Sequence, residues 1–290
     1  MARSTAYSFL ALCKPRVVFL MLITSWVGMH LATQGSVPFK TFFFGTLGIG
    51  LASCSAAIIN HLVDRNIDRK MLRTMARPLV TGELTPRQAG IFALILSILA
   101  FFILYNFVNL VTLLLTFSAL FGYAFFYTLY LKRATPQNIV IGGLSGAMPP
   151  LLGWSCISED INPYSLLLVL IIYIWTPPHF WSLAIHRMND YKNANIPMLP
   201  VTHGVKFTKI ASLLYTILLV PISLLPFAVG MAHKIYLVSA LIFGFIFLGY
   251  SIALLRVNAA NESKLAIKTF NYSIVYLFGI FVALLVDHYW

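Results

Sequence analysis

Asn60, Asp64 and Asp68 stand at positions i, i+4 and i+8. On a helix each step of four residues turns by about 40°, so the three side chains form one stripe roughly 12 Å long. Two carboxylates one turn apart, with an amide a turn further in, are hard oxygen donors suited to Mg2+. That ion is usually held through one or two carboxylates together with phosphate oxygens. The same residues also fit a solvated helix end, where Asp64 and Asp68 merely balance nearby arginines. Those arginines, Arg65, Arg69, Arg73 and Arg77, repeat every four residues. A helix continued to Pro78 would run a guanidinium stripe beside the carboxylates, and guanidinium forks match phosphate oxygens. Metal-holding carboxylates interleaved with charge-neutralising arginines describe a diphosphate site.

A second acidic position, Asp190, lies in HRMNDYKNANIPMLP. If the first and second groups of four spans are related halves, Asp190 aligns with Asp64, His186 with Asn60 and Ala194 with Asp68. The second half would then hold its metal with one carboxylate fewer. Lys132 and Arg133 fit either as anion contacts or as ordinary anchors at a membrane end. His179, in WTPPHFW, is an ionisable group inside an apolar run, a default functional candidate. It fits equally as a kink histidine bonded to a carbonyl that Pro177 and Pro178 leave free. Phe180, Trp181, Tyr123 and Tyr127 could shield a cation with their π faces, although interfacial aromatic belts account for most such residues.

The elements that must position these residues are membrane helices. The chain has 290 residues, 60% hydrophobic and 10% charged, against about a quarter charged in a soluble domain. With roughly 20 apolar residues needed per span, nine candidates emerge: 17–34, 41–60, 90–106, 110–131, 138–157, 164–186, 210–232, 235–255 and 269–286. The fifth is interrupted by Gly142, Gly143, Gly146, Pro149 and Pro150, which membrane helices tolerate when neighbours re-satisfy the backbone. The first reads as a retained span, since no small-residue cleavage site follows it. Alternating the loops places 18 of the 20 basic residues on one side and leaves Lys40 and Lys234 opposite. The positive-inside bias therefore puts the N-terminus in the cytoplasm and the C-terminus outside. The net charge of +12 is explained by this loop bias rather than by a nucleic-acid surface. Cys13, Cys54 and Cys156 are scattered, which argues against a disulfide framework or zinc site. The expected fold is all-α, a polytopic integral membrane protein with one domain over residues 1–290.

The residues resemble the UbiA superfamily of membrane prenyltransferases. The carrying motif is NHLVDRNID, an Asn-x3-Asp-x3-Asp pattern at Asn60, Asp64 and Asp68. More narrowly, KPRV at 14–17 and the blocks at 64–82, 127–154 and 176–200 are similar to the heme-farnesylating branch of that superfamily. The resemblance implies a UbiA-type bundle in a bacterial-type inner membrane, with its active site at the cytoplasmic face. It implies Mg2+ as cofactor, farnesyl diphosphate and heme B as substrates, and membrane lipid as surroundings. A downstream heme-modifying enzyme or a terminal oxidase assembly is the implied onward partner. Asn60, Asp64, Asp68 and Asp190 would hold Mg2+; Arg65, Arg69, Arg73, Arg77, Lys132 and Arg133 would meet diphosphate or propionate; His179 would contact heme. Ala194 departs from the superfamily's second Asp-x3-Asp, which leaves the second metal's ligands open. Rival readings are a prenyltransferase for an aromatic acceptor such as 4-hydroxybenzoate, an anionic-solute transporter, and a heme chaperone. Transporters place their charges near the bilayer midplane, whereas these aspartates fall at span ends.

Overall fold

The computed structural model describes residues 4–290; Arg3, counted above among the basic residues, lies outside them. The helices are α1 (Thr5–Leu12), α2 (Pro15–Leu31), α3 (Phe39–Asp68), α4 (Pro78–Thr81), α5 (Pro86–Phe107) and α6 (Leu110–Phe121). A π-helix, π1 (Gly122–Leu131), continues α6 into α7 (Lys132–Ala134). Then come α8 (Asn138–Ala147), α9 (Pro149–Ser158), α10 (Pro163–His186), α11 (Met188–Asn193), α12 (Leu199–Thr202), α13 (Gly204–Ala228), α14 (Lys234–Arg256) and α15 (Ala259–Tyr289). Among the described residues, eight helical stretches are long and apolar enough to cross a membrane. The pair α1 and α2, bent by 46°, makes a ninth if it is one broken span.

The chain divides into two compact units, Met1–Arg133 with Met148–Ile161, and Ala134–Ala147 with Asn162–Trp290. The chain changes unit three times, after Arg133, Ala147 and Ile161, and the second change falls between α8 and α9, inside the proline- and glycine-interrupted fifth span.

In the first unit, Lys14 takes a left-handed backbone (φ 50°) between α1 and α2, and Pro15 opens α2 at a position where its missing N–H costs nothing. Helices α2 and α9 approach so closely that a Cβ on Gly28 would lie 2.1 Å from the Pro150 carbonyl oxygen, and one on Gly153 would lie 1.8 Å from that of Ser25. Small residues also let α3 and α5 close up, with Ala52, Ala56, Ala89 and Ala93 buried and Ser55 Oγ donating to the Ala93 carbonyl at 2.9 Å. A capping box on Thr85 and Gln88 starts α5.

Helix α3 has 30 residues, about 45 Å of rise, while the hydrocarbon core needs about 30 Å. It therefore runs eight residues beyond the expected end at 60 and carries Asp64 and Asp68 on its own last turns. It does not continue to Pro78. The Thr74 hydroxyl donates to the Asp68 carbonyl at 3.0 Å, and residues 69–77 form turns.

In the second unit, α10 passes unbroken through Pro177 and Pro178. Trp175 Nε1 donates to the Ser273 carbonyl at 2.8 Å, tying α10 to α15. Asp287 accepts from the backbone N–H groups of His233 and Tyr236 and so caps the start of α14. Helix α13 begins six residues before the expected 210, and α15 ten before 269.

Candidate active site

The helical stripe predicted from spacing forms inside the first unit, and it is buried. Asn60, Asp64 and Asp68 are 5%, 1% and 3% exposed, which excludes the solvated helix end. Asn60 Nδ2 donates to Asp64 Oδ2 at 2.9 Å. Lys132 Nζ donates to the same carboxylate oxygen at 2.6 Å, and Arg77 Nη1 to Asp68 Oδ2 at 2.5 Å. Lys14 Nζ completes the set by donating to Asn60 Oδ1 at 2.7 Å. Lys132 and Arg77 thus pair one to one with the two carboxylates, and Lys14 stands beside them as a third basic group, on the Asn60 amide.

Not every predicted basic residue arrives there. Because α3 stops at Asp68, the expected guanidinium stripe does not form. Arg69 and Arg73 are exposed on the turns after the helix. Arg65 donates through Nε to the Leu79 carbonyl at 3.2 Å, bracing α3 against α4. Arg77 returns to Asp68 only because the turns fold the chain back. Lys132 is no simple anchor, since it meets Asp64. Arg133 donates to the Val63 carbonyl at 3.3 Å.

Two site residues went unassigned from sequence. Lys14 stands out there only as a basic residue of the KPRV block, and Thr128 only as part of YTLYLKR. Thr128 is fully buried in π1, donates to the Tyr123 carbonyl at 2.7 Å, and accepts from Asn60 Nδ2 at 3.4 Å. Thr128 and Lys132, four residues apart, therefore face Asn60 and Asp64, also four apart. His61 is buried beside Asn60 in sequence, with neither ring nitrogen hydrogen-bonded.

Asp190 stands in the second unit, on the short α11, 8% exposed. Its Oδ2 has no hydrogen bond, and Arg187 Nη1 lies 3.9 Å away. His179 is packed rather than open. Its Nδ1 lies 2.6 Å from Ser273 Oγ, and its ring stacks against Trp175 and Phe270 at centroid distances of 4.1 and 4.5 Å. His186 Nδ1 makes a similar 2.8 Å contact to Ser263 Oγ.

The donor set fits Mg2+. Asp64 Oδ1 is buried with no hydrogen-bond partner, a free hard oxygen beside the Asn60 amide. No group of three or more His, Cys, Asp or Glu side chains suited to a metal occurs among the described residues. Mg2+ held by two carboxylates and substrate oxygens requires none.

A profile of the UbiA prenyltransferase family matches residues 21–275. The chain belongs to the UbiA prenyltransferase family. Among its relatives, the protoheme IX farnesyltransferase of Methylococcus capsulatus is 54% identical over 282 residues, covering 97% of this chain and 94% of the relative. That of Alcanivorax borkumensis is 54% identical, covering 97% and 92%. Protoheme IX farnesyltransferase 1 of Pseudomonas putida is 53% identical, covering 99% and 96%. The fold matches that of a solved UbiA homologue from Aeropyrum pernix, with TM-score 0.75 at 19% identity over 94% of this chain and 98% of the other. A UbiA homologue from Archaeoglobus fulgidus, solved with GPP and Mg2+ bound, has TM-score 0.64 at 17% identity over 96% and 99%. Family and membrane-helical fold thus agree with what the Asn-x3-Asp-x3-Asp motif implied.

Proposed function

We propose that this protein transfers a farnesyl group from farnesyl diphosphate to a vinyl group of heme B, giving heme O and diphosphate. The observation that carries the reading is the likeness of at least 53% identity, over nearly the whole chain, to relatives bearing the farnesyltransferase name. The buried stripe supplies chemistry that suits it. Both substrates pair an apolar body with an anionic end, diphosphate on one and propionates on the other. A bundle with apolar flanks and a cationic cluster at a span end can accept both.

Asn60, Asp64 and Asp68 are the residues of the first unit that would hold Mg2+, and Asp190 is the residue of the second unit that would hold a metal of its own. When bound, the ion supplies positive charge that polarises diphosphate oxygens and eases departure of the leaving group. Lys132 and Arg77 keep the carboxylates neutralised before substrate arrives, and then provide cationic hydrogen-bond donors for diphosphate. Lys14 adds a third, while Arg65, Arg69, Arg73 and Arg133 extend the basic surroundings toward diphosphate or propionate. The apolar walls exclude water from an allylic cation until the intended attack by the vinyl group. Water then completes the hydroxyethylfarnesyl side chain. His179 is assigned a heme contact through the edge of its stacked ring. The active site faces the cytoplasm of a bacterial-type inner membrane, and heme O passes to a heme-modifying enzyme or a terminal oxidase.

The test is a product assay on membranes holding this protein, with heme B, farnesyl diphosphate and Mg2+, read by chromatography and mass. The expected product is a more hydrophobic heme carrying the hydroxyethylfarnesyl group, absent without Mg2+. Asp64→Ala should abolish turnover while the protein still inserts. Full activity in that variant would sink the metal role. Prenylation of 4-hydroxybenzoate with no new heme would retain the diphosphate site and discard the heme acceptor.

A further inference from the structure

Both polar atoms of the Asn60 amide have hydrogen-bond partners: Lys14 on the oxygen, Asp64 and Thr128 on the nitrogen. Lys14 offers only N–H donors, so it requires the amide oxygen, and the 2.7 Å contact is to Oδ1. The Asp64 carboxylate only accepts, so it requires the amide NH2, at 2.9 Å. Thr128 is the remaining neighbour, and a free hydroxyl could donate or accept. Here its single hydrogen is spent on the Tyr123 carbonyl at 2.7 Å, five residues back along π1. Only its lone pairs are left, and they receive Asn60 Nδ2 at 3.4 Å. Thr128 is fully buried, so water cannot take over either bond.

From this we infer that Thr128 is a positioning residue: it locks the Asn60 amide with its NH2 toward Asp64 and itself, leaving the oxygen on the Lys14 side as the only amide atom that could meet a metal. The inference deepens the metal reading given above and rests on it. A flipped amide would offer N–H hydrogens to the cation and repel it. Beside Thr128 such a flip would bring the amide oxygen against the hydroxyl's lone pairs. The i→i+5 winding of π1 makes this possible, because it directs the Thr128 O–H at a carbonyl five residues back.

Mn2+ as a paramagnetic stand-in tests the lock on the full-length protein in detergent, with inorganic diphosphate present and binding read by electron paramagnetic resonance. Thr128→Val keeps the shape and removes the hydroxyl. It should weaken Mn2+ binding about tenfold, the scale of one hydrogen bond near a charged group. Thr128→Ser should bind as the parent does. In an Asn60→Asp background, where both side-chain oxygens are equivalent, Thr128→Val should no longer weaken binding, an effect that general loosening of the helix would not give. Equal Mn2+ binding by Thr128→Val and the parent would overturn the lock and leave the metal site standing. So would weakening by Thr128→Val that persists in the Asn60→Asp background. A parent that takes up no Mn2+ would remove the metal reading and the lock together.

Discussion

Lys132 neutralises a carboxylate that is 1% exposed, and burial decides what its removal costs. An ion pair at a solvated helix end contributes at most about 1 kcal/mol. Breaking a buried pair strands a charge and costs about 3–5 kcal/mol. Lys132→Met should therefore lower stability by about 3 kcal/mol, measured by thermal unfolding in detergent without substrate. Adding Asp64→Asn to it should recover much of the loss, because an amide leaves no charge stranded. A Lys132→Met protein as stable as the parent would mean that Asp64 reaches water. What sequence showed of this cluster follows from the range of each contact. Asn60, Asp64 and Asp68 were legible because they share one helix face through local periodicity. Lys14 and Thr128 were not, because their bonds to Asn60 span 46 and 68 residues, and nothing in local spacing pairs them.

Helices here are set as much by what they lack as by what they bury. At Gly28 and Gly153 a Cβ would meet backbone of the facing helix at 2.1 and 1.8 Å, and backbone cannot swing aside. Gly28→Ala and Gly153→Ala should each destabilise by about 3 kcal/mol or more, the upper end of overpacking costs. Gly90 in α5 has nothing within 4 Å of a built Cβ. Gly90→Ala should instead stabilise by about 0.5–1 kcal/mol through the entropy of the unfolded chain. Unfolding midpoints of the three variants check both signs; a neutral Gly153→Ala would mean that α2 and α9 are not in contact. The spans themselves were legible from apolar runs, and the departures have specific causes. No proline or glycine marks the stop of α3 at Asp68, where the Thr74 hydroxyl takes up the last carbonyl. The prolines of α10 leave the helix whole, with the Thr176 hydroxyl donating to the Ile172 carbonyl and the Ser182 hydroxyl to that of Pro178. The winding of π1 escapes a search for 3.6-residue periods altogether.

For the whole chain the decisive element is the interrupted fifth span. Its helices α8 and α9 meet at the Ala147–Pro149 break, where the chain leaves one compact unit for the other. If residues 138–158 cross the membrane, Arg187, Lys192, Lys206, Lys209, Arg256, Lys264 and Lys268 share a side with Arg69 and Arg73. If they turn back, all seven fall outside with an inverted C-terminal half, against the positive-inside bias. We propose that they cross, which would put the C-terminus outside the cell. Single cysteines test it in a background where Cys13, Cys54 and Cys156 are alanine, with an impermeant maleimide applied to intact cells. Lys40, Arg69, Lys234 and Lys264 are all exposed, so each reports its side directly. Lys40→Cys and Lys234→Cys should label at once, and Arg69→Cys and Lys264→Cys only after permeabilisation. Labelling of Lys264→Cys in intact cells, with Arg69→Cys still protected, would make the fifth span re-entrant.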